Sequence, residues 1–128
     1  MVIDTSALMA IFFEEPDASV YASAILNSPL CMLSAVSLME ASMVSMKRRR
    51  PDPIVLLDRL IDDMEITVIS VDRDQAVLAR EAFLRFGKGR HAAGLNFGDC
   101  FSYALAKSKG EPLLYKGNDF SHTDIPVA

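Results

Sequence analysis

The sequence predicts an α/β fold: a three-layer α/β/α sandwich in which helices cover both faces of a mainly parallel sheet. Three observations lead there. Short apolar runs recur at Val2-Ile3, Leu30 to Leu33, Ile66 to Val71 and Pro112 to Tyr115. Between successive runs the apolar spacing is helical, so the order is β-α-α-β-α-α-β-α-α-β. The connections are too long for hairpins and suit crossovers, which join parallel strands. The strand runs lack a polar alternation, as expected for strands buried on both faces. A chain of 128 residues suits one domain, spanning 1–128, with a sizeable core.

Each element has its own signal. Val2-Ile3 opens a short strand that ends near Asp4, and Ala7 to Phe13 follows as a short helix. Pro16 stands at a helix start, Ala18 to Leu26 continues it, and Pro29 breaks it. After the second strand, Ser34 begins a long helical pattern through Val36, Met39, Met43 and Met46 to the basic run Lys47 to Arg50. Pro51 and Pro53 end that helix and start the next, which runs to about Met64. Ile66 to Val71 is rich in β-branched residues, the clearest strand signal of the chain. Asp72 with Gln75 has capping-box spacing, and a helix follows to Phe86. Gly87 to Phe97 is a glycine-rich loop. Gly98-Asp99 opens the last helix, for which Gly110 is the expected C-cap.

The net charge of −4, from 13 basic and 17 acidic residues, argues against a generally basic nucleic-acid-binding face. It does not exclude a nuclease, because carboxylates that hold divalent cations present those cations to phosphate. Cys31 and Cys100 are isolated, and Cys31 sits in an apolar run, so no disulfide framework is expected. No stretch reaches the roughly 20 apolar residues of a membrane span. The apolar N-terminus carries Asp4 and lacks a basic lead-in, so a secretory signal is not expected, and a cytoplasmic setting is.

Four acids fall where a parallel sheet collects its ligands, at the carboxyl ends of strands and the starts of the helices that follow. Asp4 ends the first strand, Glu40 and Asp99 lie near helix starts, and Asp119 lies just past the last strand. Carboxylates gathered at one point repel one another, and oxygen-ligated divalent cations relieve that repulsion. Each acid also has a purely structural reading. Asp4 and Asp99 suit helix N-caps, Ser37-x-x-Glu40 has capping-box spacing, and Asp119 in Gly117-Asn118-Asp119 suits a turn. Only the four together point to chemistry.

Four blocks resemble successive signatures of the PIN-domain family, and more closely its VapC-type toxins from toxin–antitoxin pairs. They are Val2-Ile3-Asp4-Thr5-Ser6-Ala7-Leu8, Ser34 through Glu40, Leu95 through Ala106, and Pro112 through Phe120. The resemblance implies a ribonuclease that hydrolyses RNA phosphodiester bonds with one or two Mg²⁺ or Mn²⁺ ions. It implies Asp4, Glu40, Asp99 and Asp119 as the catalytic and metal-binding set, supported by a hydroxyl from Thr5 or Ser6. Asn118 stands where the family often carries a second acid, which lowers the negative charge there. By the same resemblance the partners are an antitoxin and a second copy of the chain, in a homodimer or higher oligomer. Arg85, Lys88 and Arg90, with His91, form a basic group in the loop leading to Asp99, where they suit contact with an RNA backbone. The basic run Lys47 to Arg50 suits a solvated helix C-terminus. A small phosphate-ester hydrolase would want a second acid two residues after Asp4, where Ser6 stands. A non-enzymatic α/β module would leave the acids as caps only.

Overall fold

The computed structural model describes residues 1–128. Four parallel strands form one sheet: β1 (Val2–Ile3), β2 (Cys31–Ser34), β3 (Ile66–Ile69) and β4 (Leu113–Leu114), in the order β3-β2-β1-β4. The chain starts in the middle, steps outward to β3, then returns to the other side of β1. Val2 pairs with Met32 and Leu113, and the longer β2–β3 ladder runs from Cys31–Ile66 to Ser34–Ile69. Strand side chains alternate between faces. Val2, Met32 and Leu113 join one core with α5 (Arg73–Phe86) and α6 (Phe97–Lys109). Ile3, Cys31, Leu33 and Leu114 join the other, with α1 (Thr5–Phe12), α2 (Ala18–Leu26) and α4 (Pro53–Asp63). The three-layer α/β/α expectation therefore holds. α3 (Ala35–Ser45) adds Ala41 to the second core, packs on α1 and α4, and also touches α6.

Several boundaries differ from the sequence reading, each for a hydrogen-bonding reason. α1 begins at Thr5 because Asp4 caps it, its Oδ2 accepting the Ser6 N–H at 2.9 Å. α3 begins at Ala35 with Ser34 as its cap, so Ser37 lies inside the helix and Ser37-x-x-Glu40 is not a capping box. α6 begins at Phe97 because Asn96 is the cap, and Asp99 is its third residue. Asp72 caps α5 as expected, but Gln75 turns its side-chain amide to the Ser70 carbonyl instead of closing a box. β3 stops at Ile69 rather than Val71. Gly110 ends α6 in the left-handed conformation, φ 64°. One pairing was not foreseen. The Leu113 N–H donates to Pro126 O at 2.9 Å and the Ala128 N–H to Leu113 O at 3.0 Å, so the C-terminal segment covers the free edge of β4.

The basic run is tied to its own fold. Arg50 donates to the Phe12 carbonyl at 3.1 Å and lies over the Phe12 ring, and Arg48 lies over Phe13. Two cations thus serve the last turn of α1, where carbonyls lack helical partners.

Leu33 is fully buried in a central strand. Leu33→Ala is expected to destabilise the chain by about 2–5 kcal/mol through lost contacts and a residual cavity. Urea unfolding followed by circular dichroism checks this, with the midpoint falling at unchanged slope. A loss under about 1 kcal/mol would show that the sheet centre relaxes around the gap.

Candidate active site

The parallel order brings the end of β1, the first turns of α3 and α6 and the segment after β4 to one edge of the sheet. Asp4 lies there, 3% exposed. Its Oδ2 accepts from the Ser6 N–H at 2.9 Å and the Ser6 hydroxyl at 2.6 Å, and its Oδ1 accepts from the Ser102 hydroxyl at 2.6 Å. The Ser6 hydroxyl in turn accepts the Lys116 N–H at 3.0 Å. Thr5 is buried beside it, with its hydroxyl toward the Ser37 carbonyl at 3.4 Å. Asp4 is therefore both the cap of α1 and a buried acid facing α3 and α6, so the structural reading and the site reading are both met by one side chain.

Glu40 projects from the second turn of α3 and is half-buried. Burial raises its carboxyl above the usual range, and the Asp4 charge adds to the rise, while the Thr5 hydroxyl and Lys47 oppose it. Asp99 closes a capping box: its Oδ2 accepts the Asn96 N–H at 3.0 Å, and its own N–H donates to Asn96 Oδ1 at 2.9 Å. It is 8% exposed. Burial pushes its carboxyl up to about 7, the charges of Asp4, Asp119 and Glu40 push the same way, and the Asn96 N–H opposes them. All three other acids thus act on Asp99. Asp119 opens an exposed 3-10 turn, Asp119–His122, and Asn118 before it is exposed and makes no side-chain cap.

Gly98 makes room for Glu40. A Cβ built on Gly98 would lie 2.6 Å from the Glu40 Cδ and Oε1 and would overlap Oε2. The donors are all carboxylate oxygens, the ligands preferred by Mg²⁺ and by Mn²⁺. Their mutual charge pressure on Asp99 is what a cation would relieve. As placed, no three His, Cys, Asp or Glu side chains close around a single point, so the acids are gathered electrostatically without forming a ready ligand sphere.

Beside Glu40 and Gly98 runs an apolar groove of about 750 Å³, lined by Val36, Met39, Met43, Val71 and Phe97, with Lys47 at its rim. Phe97 is 73% exposed and separates this groove from a second apolar hollow against Phe83 and Phe101. The structure does not bring the expected basic group to the acids. Arg85 lies over the Phe86 ring and 3.7 Å from Asp124, which also holds Tyr103 and Lys107, one and two turns along α6 from Asp99. Arg90 donates to the Leu84 carbonyl at 3.3 Å, and Lys88 is exposed on the loop. None of the three acts on Glu40 or Asp99, whereas Lys47 does act on Glu40.

Sequence reasoning missed Ser102, Gly98 and Lys116. Ser102 had a signal: it lies three residues after Asp99 on a helix, hence on the same face. The role of Gly98 needs the Glu40 position, and that of Lys116 is carried by its backbone, so neither leaves a mark in the sequence.

A carboxyl raised in the folded state stabilises the fold only while it stays protonated. Its contribution is complete below the unfolded value, near 3.9, and is lost as pH rises through about 7. In EDTA, Asp99→Asn is therefore expected to gain stability over the parent chain between pH 5 and pH 8. The gain should be about 1–3 kcal/mol, below the roughly 4 kcal/mol that the full shift represents. Thermal unfolding at the two pH values checks it, and an equal difference at both would remove Asp99 as the source.

The PIN family model, described as the PIN domain, matches residues 1–126. Ribonuclease VapC28 of Mycobacterium tuberculosis is 50% identical, covering 100% of this chain and 97% of its own. Ribonuclease VapC of Mycolicibacterium smegmatis is 48% identical, covering 98% and 97%. Among solved structures, Mycobacterium tuberculosis VapC20, described as a sarcin–ricin loop cleaving toxin, superposes with a TM-score of 0.80 at 19% identity over 99% of this chain and 97% of that one. A toxin–antitoxin complex from Klebsiella pneumoniae superposes at 0.73 and 18% identity over 99% and 95%. These two share the fold, and the full-length match to the family model and to the curated relatives settles the assignment: the chain belongs to the PIN-domain family, among its VapC ribonucleases.

Proposed function

We propose that the chain is a Mg²⁺- or Mn²⁺-dependent ribonuclease, the toxin of a toxin–antitoxin pair, acting on RNA in the cytoplasm. The observation that carries this is the gathering of acids from separate elements at one sheet edge: Asp4 and Asp99 are buried there and the Glu40 carboxylate lies against Gly98, and their charges, with that of Asp119, add to the burial that raises the Asp99 carboxyl. A helix cap needs no such burial, and caps alone would leave the clustering without a reason. The full-length identity to chains named as ribonucleases supports the same reading. A phosphate-ester hydrolase is disfavoured because Ser6, which stands where the second acid would be needed, is spent on holding Asp4.

In this reading Asp4 and Asp99 are the direct ligands, and Glu40 and Asp119 complete the set or orient the attacking water. Thr5 and Ser6 hold the acids, and Asn118 leaves the approach beside Asp119 less negative. When bound, a divalent cation supplies Lewis acidity to water and to the phosphodiester. The protein's own part is to keep four acids at one sheet edge without repelling the fold apart. Lys47, at the groove rim beside Glu40, is the cation best placed to meet an RNA phosphate, and Lys88 is exposed farther out.

Two substitutions test the site. Asp99→Asn should abolish cleavage of RNA in Mg²⁺ buffer while the circular dichroism spectrum is retained. Gly98→Ala should cost at least tenfold in activity, because Glu40 must swing away, while stability holds or rises by up to about 1 kcal/mol from the gain in helix propensity. Wild-type cleavage by Asp99→Asn would refute the assignment.

For partners, the apolar face of Met39, Met43 and Phe97 supports self-association, since exposed apolar patches of several hundred Å² mark interfaces. Val55 and Leu56 are exposed on α4, and we assign that surface to an antitoxin. An antitoxin arginine near the carboxylates would compete with the cation through charge-assisted hydrogen bonds. Light scattering at tens of micromolar should give a dimer, and Met43→Glu with Phe97→Asp should give a monomer. A monomeric parent chain would remove the second copy from the proposal.

A further inference from the structure

Ser102 is uncharged and fully buried on α6, one turn beyond Asp99. A serine inside a helix ordinarily returns its hydroxyl to the carbonyl four residues back. Ser102 instead reaches 98 positions along the chain to Asp4 Oδ1, at 2.6 Å, and lies 3.2 Å from the Ser37 hydroxyl. A carboxylate offers only acceptors and a hydroxyl has one proton. Ser102 therefore donates to Asp4, and Ser37 donates to Ser102. A second chain ends on the other oxygen. The Lys116 backbone N–H donates to the Ser6 hydroxyl, which donates to Asp4 Oδ2. With the Ser6 N–H also on Oδ2, that oxygen has both lone pairs occupied, and Oδ1 keeps one.

We propose that Ser102 is a positioning residue: it sets the plane of the Asp4 carboxylate and, with Ser37 behind it, leaves the remaining Oδ1 lone pair as the only acceptor Asp4 can offer a cation. This rests on the ribonuclease reading of the site. Without Ser102 the carboxylate is anchored through Oδ2 alone. Its terminal torsion is soft, so the free lone pair is no longer held in one direction. Partners that orient a ligand are worth about 10–100-fold in metal affinity or activity.

The experiment compares Ser102→Thr with Ser102→Val, nearly the same shape with and without a hydroxyl, alongside Ser102→Ala, Ser37→Ala and Asp4→Asn. Mn²⁺ affinity is measured by calorimetry without RNA, kcat and KM on an RNA substrate, and melting temperature in EDTA. Ser102→Ala and Ser102→Val should bind Mn²⁺ about tenfold more weakly and lose ten- to hundredfold in kcat, with KM within about twofold. Ser102→Thr should lie within about threefold of the parent chain in both. Ser37→Ala should shift Mn²⁺ affinity in the same direction by less, and it carries the test if the threonine is not accommodated. Equal behaviour of Thr and Val when the melting temperature of Ser102→Thr matches the parent chain, or unchanged Mn²⁺ affinity in Ser102→Ala and Ser37→Ala, would overturn the proposal. An active Asp4→Asn would instead overturn the ribonuclease reading beneath it.

Discussion

Asp4 stands where the central strand ends, almost wholly enclosed, and a carboxylate placed there must be satisfied by the protein itself. Its environment follows from that requirement. One oxygen draws on the turn that starts α1, and the other draws on α6, nearly a hundred residues later. The contact between α6 and α3 also runs through this point, as the Ser37–Ser102 hydroxyl pair. A buried carboxylate normally weakens a core. Here it serves as the junction at which the first strand, both helical layers and the segment after β4 are registered against one another. The arrangement is one in which every polar member is satisfied, the condition under which a buried network specifies a single geometry.

The electrostatic tension lies one step farther out. Asp99 and Glu40 are both raised by burial first and by neighbouring charge second. Asp99 is bound into the cap of α6, and Glu40, half-buried, lies in the space that Gly98 leaves empty. The free chain therefore holds its acids against their repulsion, and the sheet core with its fully buried Leu33 and Leu113 supplies the rigidity for doing so. Asp119 differs: its side chain is exposed, although the 3-10 turn that carries it is anchored to the core by the buried Phe120.

The layer order and the parallel sheet were legible because apolar run length and helical spacing report burial directly. Asp4, Glu40 and Asp99 were legible as a group because strand ends and helix starts of a parallel sheet meet at one edge. Cap assignment was less so. Asn96 rather than Asp99 caps α6, and Ser34 rather than Ser37 caps α3, because residues of similar capping propensity lie three apart and only the backbone conformation chooses between them. The strand-like pairing of Pro126 to Ala128 was hidden because a single parallel bridge leaves no periodic trace. The commitment of Arg85 to Asp124 was hidden because such a pair depends on how α5 meets the C-terminal segment, which no local pattern encodes.

Lys116 belongs to two structures at once. Its backbone N–H feeds the hydroxyl chain to Asp4, while its ammonium grips Glu15 and, at 2.8 Å, Asp17 in the turn between α1 and α2. Those two carboxylates hold the ammonium firmly in its charged form, Asp17 contributing most. The outer turn and the inner acid therefore share one residue, and thermodynamic linkage applies to them. A macromolecule that grips the α1–α2 turn would reach the Asp4 carboxylate only through the Lys116 backbone N–H and the Ser6 hydroxyl, and any coupling along that route would act equally in both directions.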